Sequence, residues 1–310
     1  MPSVAIVGDL IIDRSFFCTP KGVSPEAPII SMEVNRVSDT IGGAGNVALN
    51  LIALSELLEE EVTIQYVGPI PEPIWTILLR MGKEKYFHYY AGRAELSSVK
   101  NRIVHKSPWR QIIRFDEDTK KKLKQIDEDT IVSYFKENSF DVGLISDYAH
   151  GAITRRVCQA VRDSCTAVIA DPKGKDPHKY TGVSIVTPNT TELETLTNSQ
   201  CTSEEERARA ISVICGADVI HKKGANGCCY YPAYKKEKYF AAQSTICPPV
   251  DPCGAGDTFI ATLTYHMAIG KGIEESITAA NVMAGLSVLK PGCFVPNKEA
   301  ILKFRELTNE

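Results

Sequence analysis

The sequence predicts an α/β architecture: a central, mostly parallel sheet with helices on both faces, plus a small β-lid. Three observations point there. Short apolar runs recur, each closed by a polar residue, as in parallel strands buried on both sides. From Val62 to the end these runs alternate with stretches of helical spacing, the rhythm of a parallel sheet. Residues 16–40 break the pattern with Pro20, Pro25 and Pro28, and read as an edge hairpin or flap. No repeat, linker or low-complexity tract divides the 310 residues. A single domain over 1–310 is expected, with lid strands at 14–40 and 87–116.

In order, residues 4–8 form a first strand that 10–13 extend, leaving Asp9 and Asp13 at its carboxyl end. Residues 41–46 are a small-residue turn that runs into a helix. Residues 62–67 are a strand closed by Gly68 and Pro69, and 73–81 a short helix. Strands at 87–90, 99–104 and 111–115 are assigned to the lid. Residues 120–138 are a helix with a solvated, lysine-rich face. Residues 142–146 are a strand ended by Asp147, 153–164 a helix, and 167–170 a strand ended by Asp171. Residues 184–187 are a strand followed by Pro188 and Asn189. Residues 203–215 are a helix whose first turn is acidic, as the helix dipole favours. Strands at 218–221 and 228–231 flank a turn at 224–227, and a last helix covers 274–289.

Composition narrows the function. A hydrophobic content of 44% is ample for a core, and a formal net charge of −3 gives no electrostatic reason for a nucleic-acid partner. The chain lacks a run of apolar residues long enough to cross a membrane. The amino terminus lacks a basic segment and a small-residue cleavage site, so it reads as a strand of a cytoplasmic protein. The ten cysteines are scattered through apolar segments without a C-x-x-C pair, so reduced thiols are expected rather than disulfides or a structural zinc site.

The chemistry gathers at 250–270. Asp251 and Pro252 lead into Gly254, Ala255 and Gly256, after which Asp257 opens an amphipathic helix. Small residues at a helix start leave backbone N–H groups bare, and these with the dipole form an anion site. Asp257 either caps that helix or takes a proton from a hydroxyl attacking a bound phosphate. Elsewhere polar residues follow strand ends at Asp9, Asp13, Asp147, Asp171 and Asn189, which a parallel sheet brings to one crevice. Asn189 and Glu192 lie one helical turn apart. They can form a capping box, orient water around Mg²⁺, or do both.

The runs Gly42-Gly43-Ala44-Gly45-Asn46 and Asp251-Pro252-Cys253-Gly254-Ala255-Gly256-Asp257 together resemble the two signatures of the ribokinase/PfkB sugar-kinase family. Asn189-x-x-Glu192 matches a third motif between them. The resemblance covers nearly the whole chain and implies a ribokinase-like fold. Within the family, segments such as VGDLIIDR, ISDYAHG and TPNTTELE are similar to kinases that phosphorylate O1 of D-glycero-D-manno-heptose 7-phosphate in ADP-heptose synthesis. In some of these the kinase is fused to a nucleotidyltransferase, and here the kinase part alone is expected.

By position, the resemblance implies that Asp257 is the base, with Gly254, Ala255 and Gly256 supplying the anion hole. Asp13, Gly42, Gly43 and Asn46 would hold the sugar, and Asp147 would line the same crevice. Asn189 and Glu192 would organise Mg²⁺ and the ATP phosphates. Gly224 and Gly227 would lie by the nucleotide, and Asn281 and Gly292 near the adenine. Asp251 matches a position beside a monovalent-cation site, so K⁺ is a further candidate. A homodimer through the lid is implied as well.

A phosphorylated sugar needs cations, and Lys100, Arg102 and Arg114 on lid strands, with Lys173 after a strand end, are candidates for its phosphate. Two residues depart from the family pattern. Cys253 replaces the usual Thr, and Lys222 stands where many members have Thr and can reach an ATP phosphate directly. A kinase of another sugar, sugar phosphate or nucleoside, or a non-catalytic nucleotide-binding homologue, remains the alternative.

Overall fold

Two hydrophobic cores flank one sheet, and the first strand shows why. In β1 (Ser3–Gly8), Val4 and Ile6 enter one core while Ala5 and Val7 enter the other. Successive strand side chains point to opposite faces, so a strand covered on both sides must be apolar throughout. The computed structural model describes residues 1–88, 98–106, 109–118, 122–197, 201–235, 237–241 and 249–308.

β1 ends at Gly8, and the chain bends at Asp9 into β2 (Leu10–Val23), which belongs to a second sheet. Residues 10–13 therefore open the lid rather than extend the first strand. The apolar run passes straight through the bend, so hydropathy carries no sign of the change of sheet. β2 returns as β3 (Ile30–Gly43), an antiparallel pair that includes the expected flap and continues to Gly43. The turn there enters α1 (Ala44–Leu57), buried from Ala44 to Leu54.

β4 (Thr63–Val67) pairs parallel with β1. α2 (Glu72–Met81) has Pro73 in its first turn, where no intrahelical N–H is needed, and stops at a left-handed Gly82. β5 (Phe87–His88) pairs parallel with β4 at the edge of the central sheet. This corrects the assignment of 87–90 to the lid; Tyr89 and Tyr90 of that segment lie outside the described residues. β6 (Ser98–Lys106) and β7 (Trp109–Asp118) complete the lid in the order β3-β2-β6-β7, with β6 parallel to β2.

α3 (Gln125–Glu137) starts later than the expected residue 120; Lys120 and Lys121 lie outside the described residues. β8 (Phe140–Ser146) leads to α4 (Arg155–Ser164), whose cap Thr154 accepts the Val157 N–H at 3.1 Å. β9 (Cys165–Asp171), β10 (Ile185–Val186) and α5 (Thr190–Leu196) follow, then α6 (Glu204–Cys215) with its capping box of Ser203 and Glu206. β11 (Asp218–Lys222) and β12 (Cys228–Tyr231) form an antiparallel pair, and β13 (Tyr239–Ala241) runs antiparallel to β12. α7 (Ala255–Ala268), α8 (Ile273–Ser287) and α9 (Lys298–Thr308) end the chain. β13 and α9 were not anticipated from the sequence.

The central sheet has nine strands in the order β13-β12-β11-β10-β9-β8-β1-β4-β5. Side chains of α1, α7, α8 and α9 fill the core on one face, and those of α3, α4 and α6 the core on the other. Asp9, Asp147 and Asp171 all lie at the carboxyl ends of adjacent parallel strands, as the crevice argument requires. Among the described residues, no helix is long and apolar enough to cross a membrane.

Gly8 marks the tightest point of that edge. A Cβ there would lie 2.2 Å from Ser146 O and 2.5 Å from Ala44 Cβ, so β1, β8 and α1 meet only because it is glycine. Gly8→Ala is expected to destabilise the fold by about 1–3 kcal/mol through overpacking, read as a lower urea midpoint at unchanged slope.

Candidate active site

The start of α7 is held open by its flanks. Asp251 accepts the Cys253 N–H through one carboxylate oxygen and the Gly292 N–H through the other, both at 3.0 Å. Gly254 then turns into the left-handed region (φ 78), and a Cβ there would stand 3.0 Å from Asn46 Nδ2. The first intrahelical bond is Thr258 N–H to Gly254 O, 2.9 Å. The amides of Gly256 and Asp257 therefore project from the helix end, at its positive pole.

Asp257 is buried, 6% exposed, and two donors from distant parts of the chain aim its carboxylate. Asn46 Nδ2 donates to Oδ2 at 2.8 Å, and the Tyr148 hydroxyl donates to Oδ1. Behind Asn46, Asn50 Nδ2 donates to the carbonyls of Asn46 (2.9 Å) and Phe294 (2.8 Å), while Asn50 Oδ1 accepts from Thr258 (3.0 Å). Burial pushes the Asp257 pKa up to about 6, against the lowering effect of the Tyr148 and Asn46 hydrogen bonds; Asp171 and Asp13 push it further up. A carboxylate tuned to that range is suited to accept a proton near neutral pH.

Tyr148, within the segment ISDYAHG, carries no role that the sequence alone reveals. It follows Asp147 at the end of β8, and its loop is anchored by Asp9. The Asp9 carboxylate accepts N–H groups from Tyr148 (2.9 Å), His150 (3.3 Å) and Ala152 (2.9 Å). Ala149 sits at φ 58, a conformation costly for a residue with a side chain. The Lys100 ammonium lies 4.8 Å from the centre of the Tyr148 ring.

Asp13 stands on the lid side of Asp257. Its carboxylate takes the Arg102 guanidinium on Oδ1, while Oδ2 faces Cys293 Sγ at 3.2 Å. A Cβ on Gly42 would come within 1.9 Å of that Oδ2, so the opposite strand must carry glycine here. A Cβ on Gly43 would meet Asp9 O at 2.4 Å, and its φ of 61 is the turn into α1. Arg102 is thus the partner of Asp13 and not a free grip for phosphate. Arg114 is likewise forked onto Asp116, at 2.9 and 2.6 Å.

On the other side of Asp257 lies a second charged cluster, around Lys222. Lys222 Nζ bonds Asp171 at 2.5 Å, and a Cβ on Gly256 would be 3.8 Å from that ammonium. Burial opposes the Lys222 charge, but Asp171 and Glu192 outweigh it and hold its pKa above the ordinary value. Asn189 and Glu192 form the capping box in both directions, each bond 2.9 Å. Glu192 also accepts from Lys173 at 2.8 Å, which puts Lys173 beside the capping box. Next to Lys222 opens a cavity of about 330 Å³, lined by Gly224, Gly227, Gly256, Phe259, Asn281 and Val288 among others.

Two expected residues sit elsewhere. Asp147 spends its oxygens on the Ala149 N–H, Lys179 and the Tyr180 hydroxyl, so it braces the strand end instead of facing the crevice. Gly292 does not line the cavity; its N–H serves Asp251.

Residues 93–300 match the family model described as "pfkB family carbohydrate kinase". The chain belongs to the pfkB family of carbohydrate kinases. ATP-dependent sugar kinase is the enzyme class that membership carries. Among curated relatives, the bifunctional protein HldE of Wolinella succinogenes is 30% identical over 94% of this chain and 62% of its own length. That of Nitratiruptor sp. is 30% identical over 98% of this chain and 65% of its own. The chain thus spans about three fifths of the length of these relatives. Ribokinase from Thermotoga maritima shares the fold at a TM-score of 0.73 with 21% identity, over 99% of this chain and 100% of that one. Phosphofructokinase-2 from Escherichia coli, in complex with potassium, does so at 0.78 with 15% identity, over 100% and 99%.

The Tyr148 hydroxyl lowers the Asp257 pKa, so its loss must raise it. In Tyr148→Phe the acid limb of kcat/KM is expected to move upward from about pH 6, as measured by pH–rate profiles of the two proteins.

Proposed function

We propose that the chain transfers the γ-phosphoryl group of ATP to O1 of D-glycero-D-manno-heptose 7-phosphate, giving the 1,7-bisphosphate. The observation that carries the reading is Asp257: a buried carboxylate at the bare amino end of α7, aimed by Asn46 and Tyr148, with its pKa raised to about 6. The heptose assignment draws on the HldE relatives and on the segments that resemble heptose kinases.

The adenosine part occupies the cavity beside Gly224, Gly227 and Asn281, with its phosphates running toward Lys222 and the α7 amides. Asp257 takes the proton of the acceptor hydroxyl as that oxygen attacks Pγ. The bond from Pγ to the bridging oxygen breaks, and ADP leaves. Lys222 and the amides of Gly256 and Asp257 offset the charge that gathers on the transferring oxygens. Asp13, held by Arg102, accepts from sugar hydroxyls, and Lys100 faces the acceptor as the cation for its phosphate.

Mg²⁺ fits the hard oxygens of Glu192 and Asn189. Both Glu192 oxygens already accept N–H groups, so contact would run through water. When bound with ATP the ion supplies charge neutralisation at the phosphates. Asp251 likewise holds two amides, and a K⁺ ion would share its oxygens with them.

The outer face of the lid supports a homodimer. Val37, Phe16, Ile103 and Ile113 stand in one row across β3, β2, β6 and β7, and Phe115 stacks on Phe16 with ring centres 6.2 Å apart. Val37, Ile113 and Phe115 are exposed. Such a row wants covering.

Asp257→Asn is expected to lower kcat by about 10²- to 10⁴-fold while ATP still binds. Near-normal turnover would remove the base assignment. ADP release with heptose 7-phosphate, fructose 6-phosphate, ribose and adenosine tests the acceptor. Turnover is expected with the heptose, and preference for another member of the panel would replace it. For the lid, Ile113→Lys is expected to give a monomer by light scattering where the parent is a dimer.

A further inference from the structure

Three soft or charged donors meet at the acceptor end of the crevice, and the proposed reaction uses just one of them. Cys253 Sγ and Cys293 Sγ are 3.5 Å apart, and Cys293 Sγ is 3.2 Å from Asp13 Oδ2. All three donor atoms lie within 4.8 Å of one another. A tetrahedral zinc-class ion, with bonds of about 2.0–2.3 Å, needs its donors about 3.3–3.8 Å apart. The two edges that meet at Cys293, 3.5 and 3.2 Å, are close to that range, and the third is within 4.8 Å.

We propose that Asp13, Cys253 and Cys293 form a binding site for a thiophilic divalent cation of the zinc class, and that the filled site excludes the acceptor. Arg102 occupies Oδ1 of Asp13 and leaves Oδ2 turned to the thiols. Two thiolates and a carboxylate carry three negative charges, which a dication and Arg102 balance. The outer support is built as well. Asp251 grips the N–H of Cys253 and the N–H of Gly292, the residue before Cys293, so one carboxylate fixes both thiol-bearing loops. Cys253 and Cys293 are half-buried, which leaves a path for an ion from the crevice. Two thiols select soft metals, so Mg²⁺ at the nucleotide end would not compete for this position. Occupation removes Asp13 from the sugar, and this second half of the proposal rests on the acceptor role given to Asp13 above.

The test uses the whole chain with its thiols kept reduced by a phosphine. Titration with Co²⁺ is expected to give a thiolate-to-cobalt charge-transfer band that saturates at one ion per chain. The band is lost in Cys253→Thr and in Cys293→Ser, and kept in Cys201→Ser. Circular dichroism establishes that each variant is folded. Absence of the band in the parent, or its survival in Cys293→Ser, overturns the site. With excess Mg-ATP, Zn²⁺ is expected to raise the apparent KM for the phosphorylated sugar at constant kcat in the parent. Equal inhibition in Cys293→Ser overturns the exclusion of acceptor. If no sugar phosphate is turned over at all, the proposed reaction fails while the cobalt spectrum still decides the metal site.

Discussion

The placement of one buried carboxylate constrains most of the molecule. Asp257 must be dry enough for its proton affinity to rise, yet a buried carboxylate without hydrogen bonds would cost several kcal/mol. Two neutral donors, the Asn46 amide and the Tyr148 hydroxyl, meet that need without cancelling the rise. They come from α1 and from the loop after β8, so three separate segments must converge within hydrogen-bond reach. The glycines at 8, 43 and 254 serve this convergence, since each stands where a Cβ would strike the neighbouring segment.

Charge is arranged on the same principle on both sides of Asp257. Asp13 holds Arg102, Asp171 holds Lys222, and Glu192 holds Lys173. Each pair places a cation at the crevice without leaving a buried charge uncompensated. In the proposed reaction, a phosphate would share cations that are already in position. Donors fixed in this way before the ligand arrives are what electrostatic preorganisation requires.

Much of this was legible in the chain itself. The alternation of strands and helices is carried by apolar periodicity, and the bare helix start by Gly254, Ala255 and Gly256, which offer no side chain to cap it. The change of sheet at Asp9 was not legible, since Leu10, Ile11 and Ile12 are as apolar as β1 and are buried equally well in the lid. Side-chain partnerships were not legible either. Arg102 and Lys173 read as free cations because spacing shows which strand carries a residue but not which carboxylate lies across from it. The partners of Asp147 and the reach of Tyr148 to Asp257 are hidden for the same reason.

The bend at Asp9 carries a mechanical consequence. β1 passes into β2 through one residue, Asp9, whose carboxylate also grips the Tyr148 loop, and the lid rejoins the body where β3 runs into α1 at Gly43. The residue that links sheet to lid therefore also fastens the loop that places the Tyr148 hydroxyl on Asp257. A change at Asp9 would thus be felt both in the seating of the lid and in the aim of the Asp257 carboxylate.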